Sequence, residues 1–125
     1  MIVTNGRVDP RILEMHAKVC RTMAHPLRLA LLNALRDGER GVGDLAKAVG
    51  AKQPLVSGHL GALREQGLLH HRREGNEVFY SIAYPKMIQA CDLLREVLFE
   101  HLRAQERLLA SNQDQKEEGL EHGST

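Results

Sequence analysis

Two glycines punctuate the middle of this chain, and the hydrophobic period changes at the second of them. The stretch from Val42 to Val49 turns Val42, Leu45, Ala46 and Val49 to one side and stops at Gly50. The stretch from Gln53 to Gln66 does the same with Leu55, Val56, Leu60 and Leu63 and stops at Gly67. Only Ala51 to Gln53 join the two, which predicts a short helix, a tight turn beginning with Gly and a second helix, the helix-turn-helix pattern. After Gly67 the period drops from 3.6 to 2. Leu68 to Arg73 and Glu77 to Ile82 flank Glu74-Gly75-Asn76, predicting a β-hairpin with basic residues beside its tip.

Helices are also expected on both sides of this centre. Asp9-Pro10 is a good helix opening, because Asp caps well and Pro gives up an N–H that would have no partner there. Ile12, His16, Val19, Cys20 and Met23 then recur at helical spacing. His25-Pro26 breaks and restarts the pattern, with Leu27, Ala30, Leu31, Ala34 and Leu35 as the apolar face of a second helix that ends at Asp37-Gly38. Tyr84-Pro85 begins a long last helix carrying Met87, Cys91, Leu94, Leu98, Leu102 and Leu109. The fold expected is mainly α with a β-hairpin wing: a winged helix-turn-helix of about five helices spanning 9–109. It follows an N-terminal arm, 1–8, and precedes a polar tail, 110–125, whose composition predicts disorder.

Composition narrows the function. Apolar residues make up 42% and charged residues 26%, a globular balance in which no run approaches the ~20 apolar residues of a membrane span. With no signal-peptide core after Met1, a cytoplasmic protein is expected. Cys20 and Cys91 form no Cys-x-x-Cys pair, which excludes a disulfide framework and a zinc finger. No Gly-rich phosphate loop, His-Glu-x-x-His or nucleophile elbow is present, so an enzyme is not expected and neither is a cofactor. The formal charge is only +1, yet it is unevenly spread: 47–86 carries a local +3 and 105–125 a local −3. The acidic end masks a basic centre.

That centre suits double-stranded DNA. The second helix of the pair must hold the core with one face and meet base edges with the other, and Gln53, Ser57 and His59 lie in the half that enters a major groove. Lys52, Arg64, Arg72, Arg73 and Asn76 are the neighbouring candidates, with phosphate contact the expected role of the wing. Each has a plainer reading alone: Ser57 as a solvated helix residue, His59 as a structural one, the arginines as solvated rim. It is the order of parts, helix, turn, helix, basic hairpin, that favours DNA. A winged helix used for protein contact alone is the competing class, and salt-dependent binding of random duplex separates the two. Only four aromatic residues are present, too few for a single-strand stacking platform.

At this level of detail the chain resembles the ArsR/SmtB family of bacterial repressors. Residues 57–69, Ser-Gly-His-Leu-Gly-Ala-Leu-Arg-Glu-Gln-Gly-Leu-Leu, match its S-x-H-L-x-x-L-x-x-x-G-L signature. The segment Met23 to Leu32 is similar to the family's opening helix, and Arg72 to Tyr80 resembles its wing, R-x-G-x-x-x-x-Y in outline. The resemblance covers about 20–102. It implies a homodimer paired through the first and last helices, and repression from a palindromic operator relieved by an inducer. Independently, Met87, Cys91, Leu94 and Leu98 form a narrow seam suited to pairing, the plainer reading being a helix folded back on its own core. Ile12 and Val19 are the first-helix partners that the resemblance implies.

The inducer is less legible. One metal site of the family uses C-x-C where this chain has Val42-Gly43-Asp44-Leu45-Ala46, and another uses ligands where it has Tyr84, Lys86, Val97 and Glu100. Both motifs are missing. Cys20 and Cys91, on the two helices expected to pair, are candidates for a disulfide or polysulfide bridge. His16, one turn before Cys20, makes a metal or metalloid site with arsenite or Cu(I) the alternative. Buried, inert cysteines are the plain reading.

Overall fold

The computed structural model describes the backbone of residues 3–4 and 7–123 and the side chains of residues 7–115. Strands β1 (Val3–Thr4) and β2 (Arg7–Val8) pair antiparallel. Five helices follow: α1 (Pro10–Met23), α2 (Pro26–Ala34), α3 (Val42–Val49), α4 (Gln53–Glu65) and α5 (Pro85–Gly123). Between them lie β3 (Arg40–Gly41), β4 (Leu69–Glu74) and β5 (Glu77–Ile82), hydrogen-bonded in the order β3-β5-β4. The mainly α, winged helix-turn-helix architecture expected from the periods is the one found.

Local chemistry explains the boundaries. The Asp9 carboxylate accepts from the Arg11 amide at 2.9 Å, capping α1 one residue before Pro10. His25 caps α2 in the same manner, its Nδ1 accepting from the Leu27 amide at 3.1 Å. Helix α4 ends with Gly67 at φ +75°, a conformation that costs other residues energy. The Gly67 amide returns to the Arg64 carbonyl and the Leu68 amide to the Leu63 carbonyl at 3.0 Å, the two bonds of a Schellman closure. The Leu68 carbonyl then accepts from the Ala83 amide, so the helix end and the wing are joined at one residue.

The core is one cluster: Leu31, Leu32 and Leu35 from α2, Val42, Leu45 and Ala46 from α3, Val56, Leu60 and Leu63 from α4, with Leu68, Leu69 and Tyr80 from the sheet side. Seven of these side chains are fully buried, each stabilising the fold by roughly 1.5–3 kcal/mol. Met87 and Ile88, at the start of α5, pack against it as well. Met87 therefore serves the core, whereas the sequence placed it in a pairing seam.

Other details depart from expectation. Leu55, expected in the core, is 54% exposed, and in α2 Leu32 is buried where Ala30 is not. The wing has a third strand, β3, pairing Arg40 with Tyr80 and Gly41 with Phe79. A Cβ on Gly41 would meet only the far end of the exposed Glu77 side chain, which can swing aside. Finally, α5 continues through the polar segment expected to be disordered, as far as Gly123. Ala110, Gln113, Gln115, Lys116, Glu117, Glu118, Leu120 and Glu121 in that segment are good helix formers, interspersed with Ser, Asn, Asp and Gly.

From Gln89 onward α5 is a unit of its own. It exposes Leu94 (62%) and Leu98 (52%), with Leu93, Val97, Phe99 and Leu102 also exposed. On α1, Leu13 and Met15 are likewise exposed. No helix among the described residues is long and apolar enough to cross a membrane.

Candidate nucleic-acid interface

Helix α4 is amphipathic in a way that divides its work. Val56, Leu60 and Leu63 are fully buried, and the opposite face of the first two turns, Gln53, Leu55, Ser57 and Gly58, is exposed. Lys52 occupies the cap position without a side-chain hydrogen bond to the helix, leaving the first amides of α4 uncapped by any side chain. Lys52 and Gln53 also line an open groove with Gly43, Asp44, Lys47 and Glu77.

His59 differs from its neighbours on this helix. Its ring is half-buried, its Nδ1 accepts from Arg28 Nε at 3.0 Å, and its centroid lies 4.4 Å from that of His25. Burial foremost, then His25 and Arg28, holds its pKa below the ordinary imidazole value. Arg64, further along α4, lies 3.1 Å from His71 Nε2 on β4, and His71 stacks on Tyr80.

The two wing arginines have separate circumstances. Arg72 donates to both oxygens of Glu39, with a shortest contact of 2.7 Å, and to Glu74 at 2.8 Å. Its guanidinium also covers the Phe79 ring at 4.6 Å. These carboxylates raise the Arg72 pKa, and Arg72 lowers that of Glu39. Arg73 and Asn76 are exposed, and Arg73 has no ion-pair partner among the described residues. Exposed Gln53, Ser57, Arg73 and Asn76 are thus unengaged, whereas His59, Arg64 and Arg72 contact other side chains. Arg28, His25, Glu39 and the exposed Leu55 were not legible as parts of this surface. Their partners lie far away in sequence, and only the His25-Pro26 break hinted at a cap.

Cys20 is exposed on α1, one turn from exposed His16, and Cys91 is half-buried on α5, where burial pushes its thiol pKa up. Among the described residues no group of three or more His, Cys, Asp or Glu side chains is placed to hold a metal ion.

Residues 25–71 match the family model described as bacterial regulatory protein, arsR family. A biofilm growth-associated repressor from Xylella fastidiosa strain Temecula1 is 38% identical over 92 residues, covering 74% of this chain and 80% of that protein. A homodimeric winged helix-turn-helix DNA-binding domain from Mycobacterium bovis, solved by NMR, superposes with a TM-score of 0.66 at 35% identity, covering 79% of this chain and 94% of that one. The crystal structure of the AntR antimony-specific transcriptional repressor is similar with a TM-score of 0.68 at 31% identity, covering 76% and 86%.

Proposed function

This chain belongs to the ArsR/SmtB family of DNA-binding transcriptional repressors, which are not enzymes, and we propose that it grips a palindromic duplex operator as a homodimer and releases it through thiol chemistry at Cys20 and Cys91. The observation carrying the DNA contact is the exposed, unengaged half of α4 beside an exposed wing. Gln53 and Ser57 meet base edges there, and Leu55 offers the apolar contact that suits a thymine methyl. The uncapped amides at the start of α4 and the Lys52 ammonium take a phosphate, since a helix N-terminus attracts anions. Arg73 and Asn76 reach phosphates from the wing. His59, Arg64 and Arg72 hold that surface in shape.

Pairing uses the exposed apolar face of α5, Leu94 and Leu98 with Cys91, against α1 residues such as Ile12, whereas Val19, like Met87, packs on the core. The homodimeric Mycobacterium bovis domain supports this reading. A Cys20–Cys91 disulfide forms as the two thiols give up two protons and two electrons to an oxidant such as peroxide. A polysulfide bridge forms when an inorganic polysulfide supplies both the oxidising equivalents and the inserted sulfur and leaves as hydrosulfide. Either fixes the pairing helices and alters the spacing of the two α4 helices. Similarity to the antimony-specific repressor favours a second reading, in which the same thiols, with His16, bind a thiophilic metalloid or Cu(I).

The test begins with a duplex selected by the protein from a random-sequence library. Its affinity is measured before and after polysulfide, peroxide or arsenite, with Cys20→Ser and Cys91→Ser as controls. Loss of affinity after polysulfide or peroxide that either substitution abolishes supports the thiol bridge. Loss only with arsenite supports the metalloid reading, and unchanged affinity with all three rejects both.

A further inference from the structure

Three helices meet at one guanidinium. Arg28, on α2, donates from Nη1 to the Thr22 carbonyl in the last turn of α1 at 2.8 Å, and from Nε to His59 Nδ1 on α4 at 3.0 Å. Arginine has only donors, so Nδ1 of His59 must be the bare, accepting nitrogen and its proton must sit on Nε2. The adjacent His25 is committed in the same way, because its Nδ1 accepts the Leu27 amide. Each imidazole thus presents an accepting Nδ1, their ring centroids lie 4.4 Å apart, and His59 is bonded to a permanent cation.

We infer that Arg28 and His59 are positioning residues, a latch that sets how α4 is presented to DNA rather than a contact with the bases. The inference rests on the DNA-reading role of α4 and goes further by assigning what holds that helix. The latch spans the right elements. Val56, Leu60 and Leu63 fix α4 through non-directional apolar contacts, which resist a small axial rotation less than a hydrogen bond does. His59 lies two residues beyond Ser57, so a rotation that moves one ring moves the base-facing side chains. Through Thr22 the same guanidinium reads the end of α1, giving a route by which a change at α1 reaches α4.

The latch is also sensitive to protonation. A proton on Nδ1 of His59 removes the acceptor and places a cation against Arg28. Among the described residues, the charged or titratable groups acting on His59 are His25 and Arg28 from α2. The other elements packed on α4, namely α1, α3 and β4, bring none to it. On α4 itself the residues one turn away, Leu55, Val56, Ala62 and Leu63, carry no charge. Among the described residues no acid acts on His59 to stabilise an imidazolium, and its folded pKa lies below the ordinary one. The neutral form's contribution is therefore complete above the ordinary imidazole pKa and is lost as pH falls through the lower folded value.

The experiment compares affinity for the library-selected duplex with affinity for random duplex, by fluorescence anisotropy on the full chain. Arg28→Met keeps the aliphatic bulk and removes the donors. It is expected to lower selected-duplex affinity about tenfold while leaving random-duplex affinity and its salt slope unchanged, since phosphate contacts are untouched. His59→Asn supplies Arg28 with an amide oxygen that does not titrate. It is expected to keep the selected-to-random ratio within about threefold of wild type near pH 7.5, and to lose most of the wild-type fall in that ratio near pH 5.5. Unchanged selected-duplex affinity in Arg28→Met overturns the latch, and so does a full wild-type pH fall in His59→Asn. If Arg28→Met does not fold, the His59→Asn pH profile decides. A wild-type protein that selects no duplex would instead overturn the DNA reading beneath it, a separate result.

Discussion

Arg72 on the wing and Glu39 before β3 are 33 positions apart and are joined by a two-pronged contact, Nε and Nη2 both donating to Oε1, with Nε also reaching Oε2. The pair neutralises a cation at the edge of the candidate DNA surface while leaving the adjacent Arg73 free of ion-pair partners among the described residues. Both partners are exposed, so the contact serves geometry and charge placement more than stability.

Neutralising Glu39 should therefore strengthen DNA binding. Glu39→Gln removes a negative charge from the edge of this surface and leaves Arg72 with Glu74 as its one acidic partner among the described residues. Random-duplex affinity is expected to rise, with the magnitude of the log–log salt slope growing by about one. Arg73→Ala is expected to do the reverse, weakening all duplexes alike and reducing the slope by about one. Anisotropy titrations across a salt series check both.

Charge on the exposed seam of α5 should abolish pairing. Leu98→Glu is expected to convert the protein to a monomer in sedimentation experiments, and to weaken binding to a two-half-site duplex by roughly a hundredfold, because the second half-site is no longer tethered to the first. A dimer that persists would place the pairing surface elsewhere.

Thiol reactivity should reveal the setting of Cys91. In a Cys20→Ser protein, alkylation of Cys91 by iodoacetamide is expected to switch on above the pH of an ordinary thiol, because burial disfavours its thiolate. Mass spectrometry of the labelled fraction across a pH series reads the midpoint. A midpoint at or below the ordinary value would contradict that setting.

Two substitutions test the scaffold of α4. Leu63→Ala opens a cavity in the fully buried cluster and is expected to cost about 2–5 kcal/mol in denaturant unfolding. Gly67→Ala must adopt φ +75°, and should cost about 1–2 kcal/mol without any lost contact, as open space surrounds its Cβ position.

Long periodic segments were legible because one interaction dominates each. Leu60 and Leu63 repeat at helical spacing and are buried, and alternation in 77–82 gave the strand that ends with half-buried Ile82. Leu55 and Val56 are equally apolar and adjacent, so composition could not say which faces the core; packing of α4 against α2 and α3 decides for Val56. Two-residue β3 has no period to read and exists because Tyr80 and Phe79 offer it an edge. The polar, Gly/Ser/Glu-rich composition after Ala110 predicts disorder, yet α5 runs on to Gly123, because Gln, Lys, Glu and Leu between the weaker formers sustain a helix begun upstream. The Arg28–His59 bond was hidden for another reason: a hydrogen bond across 31 positions leaves no local signature.

Leu68 has a consequence for how such a molecule can change its grip. Its amide belongs to the end of α4 and its carbonyl to the sheet, and its side chain is 6% exposed. There is no slack residue between helix and wing to act as an elbow. A signal arriving from elsewhere must swing α4 and the wing together, like two prongs cut from one plate, so groove and flanking phosphates are engaged or surrendered in a single stroke.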